Sequence, residues 1–274
     1  MSQTPRWVDD IESRARGLPV LLVEGEDDVT LLGHFLGQHA TDWQQRLYLA
    51  AAGGKAHVIS GVAVHRSDWL GIVDRDEWSI ADVQAVAARS SRLHILPRFC
   101  TESYFCDPAE LWSALPAQQQ ARAGDDLPAL AGPIHAKLPD WVAHGAMWRV
   151  LRDLYKEARL PAKLEDSPVA DEATIRGILT DWHARFAPDP VLAHYHNELG
   201  NAQTLAEAAQ LHEYIHGKKF FNQVVVQVLD GLFAGKGADD WLQKLRDALI
   251  QPPPDLTDLF NRILAQLPQT GPHE

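Results

Sequence analysis

Short apolar runs alternate with longer amphipathic stretches through the first hundred residues. Leu18 to Val23, Arg46 to Ala51, Trp69 to Val73 and Leu93 to Leu96 are too short for helices and rich in Val, Leu and Ile, so each predicts a buried strand. Between them the apolar positions recur at helical spacing. Glu26 to Gln38 predicts a helix with Val29, Leu32, Phe35 and Leu36 as its inner stripe. Lys55 to Val64 and Ile80 to Arg89 predict two more, and residues 6 to 16 a leading helix built on Trp7, Val8 and Ile11. No tight hairpin signal separates the strands, so the pattern is α/β, with a parallel sheet covered by helices on both faces.

Beyond about residue 108 the strand signals fade. Pro, Ala and Gln dominate Pro108 to Leu130, and the Gly132-Pro133 pair predicts an irregular patch. Trp141 to Ala158, Asp171 to Phe186 and Thr204 to Phe233 predict helices, the last opened by a Thr204-Leu-Ala-Glu207 capping box and divided near Gly217. Pro252 to Pro254 introduces a final helix through Leu264. The expected organisation is residues 1–108 as an α/β domain and 109–274 as a mainly helical one.

Two of the strands end abruptly in acids: Val23-Glu24-Gly25-Glu26-Asp27-Asp28 and Val73-Asp74-Arg75-Asp76. Acids at the carboxyl ends of neighbouring parallel strands meet at the edge where open α/β sheets place their sites. Glu24, Asp28, Asp74 and Asp76 crowded together repel one another unless a divalent cation intervenes. On an extended backbone Asp74 and Asp76, two apart, point to one side and could grip one ion or bridge two. Gly25 suits a sharp strand-to-helix exit, by positive φ or close backbone approach. The alternative for Asp28 is plain helix-dipole complementarity.

These residues resemble the TOPRIM domain, the acidic metal-binding module of topoisomerases, primases and OLD-family nucleases. Its signature is a glutamate in a V-E-G-x-x-D turn followed later by D-x-D, matched here by Glu24, Gly25 and Asp28, then Asp74 and Asp76. The Gly53-Gly54-Lys55 turn, the Pro97 to Phe105 segment with Glu102, and the late His216-Gly217-Lys218-Lys219 run are similar to a TOPRIM-like bacterial family known from defence loci, including PARIS-type systems. The fold this implies is a Rossmann-like TOPRIM sheet.

The activity it implies is Mg²⁺- or Mn²⁺-dependent hydrolysis of phosphodiesters in tRNA or DNA. One or two ions are held by Asp74, Asp76 and Asp28, with Glu24 either a ligand or the general base. Glu102 is a further candidate acid, and Lys55, Lys218 and Lys219 are candidates for substrate phosphate. The implied partner is an ABC-type ATPase that restrains a toxic effector, and a homodimer is possible. The glycine that often follows the D-x-D is replaced by Glu77-Trp78-Ser79, and no zinc ribbon or strand-passage segment is present.

Each candidate has a plainer reading. Lys55 could be an exposed lysine in an ordinary turn, because G-G-K lacks the P-loop spacing. Lys218 and Lys219 could be a solvated helix end. Tyr104 and Phe105 could stack a base but are better core residues. His212-Glu213-Tyr-Ile-His216 satisfies H-E-x-x-H, which on one helix would make a zinc protease site. A metal-binding module that serves an ATPase without cleaving anything is the alternative from another class.

Composition changes this picture in one respect. The net charge of -12 over 274 residues runs against a protein that grips a duplex through a broadly basic surface. The two cysteines, Cys100 and Cys106, give no zinc or disulfide framework, so a cytoplasmic location is expected. No run approaches the roughly 20 apolar residues that span a bilayer, and no membrane partner is expected.

Overall fold

A four-stranded, all-parallel sheet lies at the centre of the molecule, in the order β2-β1-β3-β4. The computed structural model describes residues 4–124, 126–159, 171–233, 235 and 237–268. The strands are β1 (Val20–Val23), β2 (Tyr48–Ala51), β3 (Leu70–Val73) and β4 (Leu93–Ile95), each within two residues of its expected bounds. β1 lies centrally, with Val23 beside Ala51 and Leu22 beside Gly71. The carboxyl ends of β1 and β3, and the acids beyond them, therefore emerge side by side.

The two-residue period of the strands divides the core. Leu21, Val23, Leu70 and Ile72 face one apolar cluster, whereas Val20, Leu22 and Val73 face another. The second cluster is closed by α1 (Arg6–Ala15) through Val8 and Ile11, and by α4 (Lys55–Ser60) through Val58. α4 runs on into a π-helical turn, Gly61–His65, that adds Val62. Between α1 and α4 come α2 (Glu26–His39) and the short α3 (Trp43–Arg46). α5 (Ile80–Ala87) crosses from β3 to β4.

The first cluster is much larger. It joins Phe35 and Leu36 of α2 to Tyr104 and Phe105 in the 3₁₀ turn Thr101–Phe105, and continues without a break into the C-terminal helices. Those helices are α6 (Pro108–Ala114), α7 (Ala117–Arg122), α8 (Leu127–His135), α9 (Leu138–Arg159), α10 (Glu172–Arg185) and α11 (Pro188–Gln203). They are followed by α12 (Glu207–Glu213), α13 (Gly217–Phe220), α14 (Val226–Phe233), α15 (Ala238–Ala248) and α16 (Pro254–Leu264). Phe220, Phe221, Leu229, Trp241 and Phe260 are buried in the same core as Leu21. An Arg98 guanidinium, 2% exposed, clamps this assembly. It holds Glu110 of α6 at 2.5 and 2.7 Å and Asp255 of α16 at 2.9 and 3.1 Å, with Tyr104 beneath it at 4.3 Å.

The helical half differs from the sequence expectation in three places. The Gly132-Pro133 pair, expected to be irregular, lies inside α8, the third of three short helices that follow the 3₁₀ turn. Asp107 caps α6 by accepting from the amides of Ala109 and Glu110, and Pro133 sits inside α8. The segment from Thr204 to Phe233 is divided near Gly217 as expected, but it does not open on a Thr204 cap. The Thr204 hydroxyl bonds back to the Asn201 carbonyl as α11 ends, Ala206 starts α12, and the chain turns again at Tyr214–His216. A second π-helical turn, Phe221–Val225, then separates α13 from α14. No described helix is long and apolar enough to cross a membrane.

Candidate acidic site at the sheet edge

Glu24 ends β1 and ties the two central strands together. One of its carboxylate oxygens accepts the Asp74 amide at 2.9 Å, across a sequence distance of fifty residues. Asp28, in the first turn of α2, accepts the Gly25 amide at 2.9 Å through one oxygen and the Thr101 hydroxyl at 2.9 Å through the other. Gly25 itself is extended, with φ of -138°, so neither a positive φ nor a tight approach requires glycine there. Asp28 thus caps its own helix and reaches the 3₁₀ turn as well.

The Asp74 to Asp76 pair is not a pair on one strand face. β3 ends at Val73, and Asp76 takes a left-handed conformation with φ of +49°, which aspartate tolerates better than most side chains. Its amide is held by the Phe99 carbonyl at 2.8 Å. The turn, rather than strand alternation, sets where the two carboxylates go. Arg75, between them in sequence, pairs with Glu213 at 2.8 Å.

Lys55 is the principal departure from expectation. Gly53 and Gly54 have φ of +83° and +133°, values that side-chain-bearing residues rarely adopt, and the turn they make folds the lysine back over the sheet edge. Its ammonium donates to the Asp74 carbonyl at 2.7 Å and to the Asp76 carboxylate, and stands 3.7 Å from Glu24 and 4.3 Å from the centre of the Trp78 ring. Lys55 is therefore neither a solvated turn residue nor turned outward to a phosphate. It is a cation set among the acids.

The strand-end acids border a cleft of about 570 Å³ whose lining carries seven acids in all: Glu24, Glu26, Asp27, Asp28, Asp74, Asp76 and Glu102. Crowding and enclosure show in their proton affinities. Burial pushes the Asp74 carboxyl well above the usual carboxylate range, and the charges of Asp28, Glu24 and Asp76 push it further. Burial also raises Glu24 and Asp28, against the pull of Lys55 on the first and of the Thr101 and Gly25 hydrogen bonds on the second. Each ionised form is disfavoured because it lacks water and meets like charge.

Glu102, 9% exposed, lies in the cleft lining, with Lys218 at 3.6 Å. Lys218 also holds Asp27 at 3.1 Å, which raises its pKa. Gly217 makes this approach possible: a Cβ there would lie 2.3 Å from the Ser103 hydroxyl and 2.6 Å from its amide. Lys219 faces a separate pocket beside Trp148, 5.4 Å from the ring. Tyr104 and Phe105 are buried core residues packed on Phe35.

The H-E-x-x-H reading loses its structural premise. α12 ends at Glu213, so His212 and His216 do not share a helical face. Glu213 is bound by Arg75, and its carbonyl by Arg149 at 2.8 Å. His216 instead stacks on Phe99 with ring centres 5.3 Å apart, at the border of the acidic cleft.

Among the described residues, no group of three or more His, Cys, Asp or Glu donors stands close enough to hold a metal ion with the side chains as placed. The donor type nevertheless suits a hard divalent cation, since carboxylate oxygens crowd the cleft, while the Lys55 ammonium already offsets part of the charge of Glu24 and Asp76. No protein-family model matches the chain, and no curated protein matches it.

Proposed function

We propose that this chain is a divalent-cation-dependent phosphodiesterase of TOPRIM type, acting on nucleic acid. The observation that carries this reading is the convergence of Glu24, Asp28, Asp74, Asp76 and Glu102 on one cleft beyond the ends of β1 and β3. An anionic polymer does not approach seven carboxylates unless cations neutralise them, and hard oxygen donors select Mg²⁺ or Mn²⁺.

Asp74, Asp76 and Asp28 would hold the ion or ions. The chemistry such an ion would supply there is polarisation of the scissile phosphate and neutralisation of charge on its oxygens. Glu24 is suited to take the proton from the attacking water. Its pKa is raised by burial, and its bond to the Asp74 amide fixes its place at the edge of the ligand set. Lys218 borders the cleft and would supply a positive group to substrate phosphate, while Lys55 offsets the charges of Glu24 and Asp76.

Incubation of plasmid DNA and total tRNA with Mg²⁺ or Mn²⁺ tests this reading. Cleavage by wild type, absent in Asp74→Asn and in EDTA, supports it and identifies the polymer. Intact substrates despite bound Mn²⁺ would leave a non-catalytic metal module. The resemblance to defence-locus TOPRIM proteins extends the proposal to a toxic effector held by an ABC-type ATPase, which co-purification from the native locus tests.

A further inference from the structure

Beside the acidic cleft lies a second, smaller pocket of about 160 Å³. It is well below the roughly 300–1,000 Å³ of drug-sized sites, and so is scaled to one planar ring system rather than a polymer. Trp148 of α9 forms one wall and is 43% exposed, unusual for an indole that has an apolar core close by. Its indole N–H donates to the His144 ring at 2.8 Å, which fixes the orientation of the ring plane. Lys219 stands 5.4 Å from that ring. The lining also includes Phe99 and His216, stacked 5.3 Å apart, and Glu77. His216 also borders the acidic cleft, so the two spaces adjoin through one side chain. Its Nδ1 is buried without a hydrogen-bond partner.

We propose that this pocket receives an unpaired nucleobase adjoining the phosphate held in the acidic cleft, with Trp148 as its stacking surface and Lys219 against the neighbouring backbone. The identity of the polymer rests on the phosphodiesterase reading. Four features select a base. Aromatic faces stack any base regardless of sequence. His144, His216 and Glu77 supply polar groups for a heterocycle's edge. Lys219 adds a cation with no ion pair to the cleft acids among the described residues, unlike Lys55 and Lys218. At about 160 Å³ the pocket has room for one base rather than a stacked pair, which favours a base that is single-stranded, looped or flipped out. Intact duplex is therefore a poor ligand.

The test is fluorescence of short single-stranded DNA and RNA carrying one 2-aminopurine, titrated with full-length protein in Ca²⁺. Trp148→Ala, Trp148→Phe and Lys219→Gln are compared with wild type, each checked for an unchanged melting temperature. Quenching on binding is expected in wild type, retained in Trp148→Phe, and about ten-fold weaker in affinity in Trp148→Ala, the loss of one base stack. The DNA and RNA arms decide which sugar the site accepts. An equal affinity and equal quenching in Trp148→Ala would overturn the pocket. Cleavage in Mn²⁺ that is indifferent to an abasic position would do the same, while leaving the phosphodiesterase intact. Quenching without any cleavage would keep the pocket and remove the phosphodiesterase. Neither binding nor cleavage would overturn both.

Discussion

The Lys55 ammonium crosses the sheet edge to donate to the Asp74 carbonyl at 2.7 Å, from a helix start that the strand order places beyond β1. It also lies 3.7 Å from Glu24 and pairs with Asp76, so one cation offsets the repulsion of the acids around it. Lys55→Met leaves that repulsion uncompensated. The expected result is a lower melting temperature in EDTA, by a few degrees for each ~1 kcal/mol lost, and a larger rise on adding Mn²⁺ than wild type shows. Equal Mn²⁺-induced shifts in both proteins would separate Lys55 from the cation site.

Glu24→Gln separates charge from architecture. Glutamine keeps an oxygen to accept the Asp74 amide, so the β1–β3 tie survives. Burial raises the Glu24 pKa, so its ionised form costs the fold stability at neutral pH, and the neutral side chain should melt at the same temperature or higher. Cleavage should fall by about 10²–10⁴-fold, the typical contribution of a general base. Unchanged cleavage would remove Glu24 from the chemistry.

Arg98 carries the opposite balance. It is buried, holds two carboxylates, and joins the end of β4 to α6 and α16. Arg98→Met strands Glu110 and Asp255 without their partner. Breaking such a pair costs about 3–5 kcal/mol, which urea unfolding should register as a lower midpoint at unchanged slope.

Acid stability follows His94 and His212, both lowered to about 4 chiefly by burial. Below the ordinary value of 6.5 these imidazoles bind protons in the unfolded chain that the fold refuses, so their contribution falls as pH drops from 6.5 towards 4, whereas the raised carboxyls of Glu24, Asp28 and Asp74 contribute in the opposite sense as they protonate. For His94, 9% exposed, the loss is on the order of 3 kcal/mol by pH 4. His94→Gln should flatten the stability profile between those limits in denaturant titrations, and an unchanged slope would contradict the assignment.

The strand set and the meeting of the strand-end acids were legible because both follow from short-range pattern. Val20 to Val23 cannot be other than a buried strand, and a parallel neighbour puts Glu24 beside Asp74. The direction of Lys55 was not legible. It depends on positive φ at Gly53 and Gly54, and Gly-Gly permits many turns. The division near Gly217 was legible from the glycine itself, but the start at Thr204 was not: the Thr204 hydroxyl bonds back to the Asn201 carbonyl, and α12 begins only after Ala206. The Trp148 pocket had a weak signal in Trp141, His144 and Trp148, which helical spacing places on one face of α9. Their partner His216 comes from a distant segment that pattern alone does not connect.

Titration of the metal-free protein with Mn²⁺, followed by the loss of the free-ion paramagnetic resonance signal, tests the central claim most directly. Wild type should bind one or two ions, Asp74→Asn should bind them weakly or not at all, and Asp82→Asn, outside the cleft, should match wild type. No Mn²⁺ bound by wild type, or equal binding in Asp74→Asn, would contradict an account in which the acids of the sheet edge exist to hold a cation.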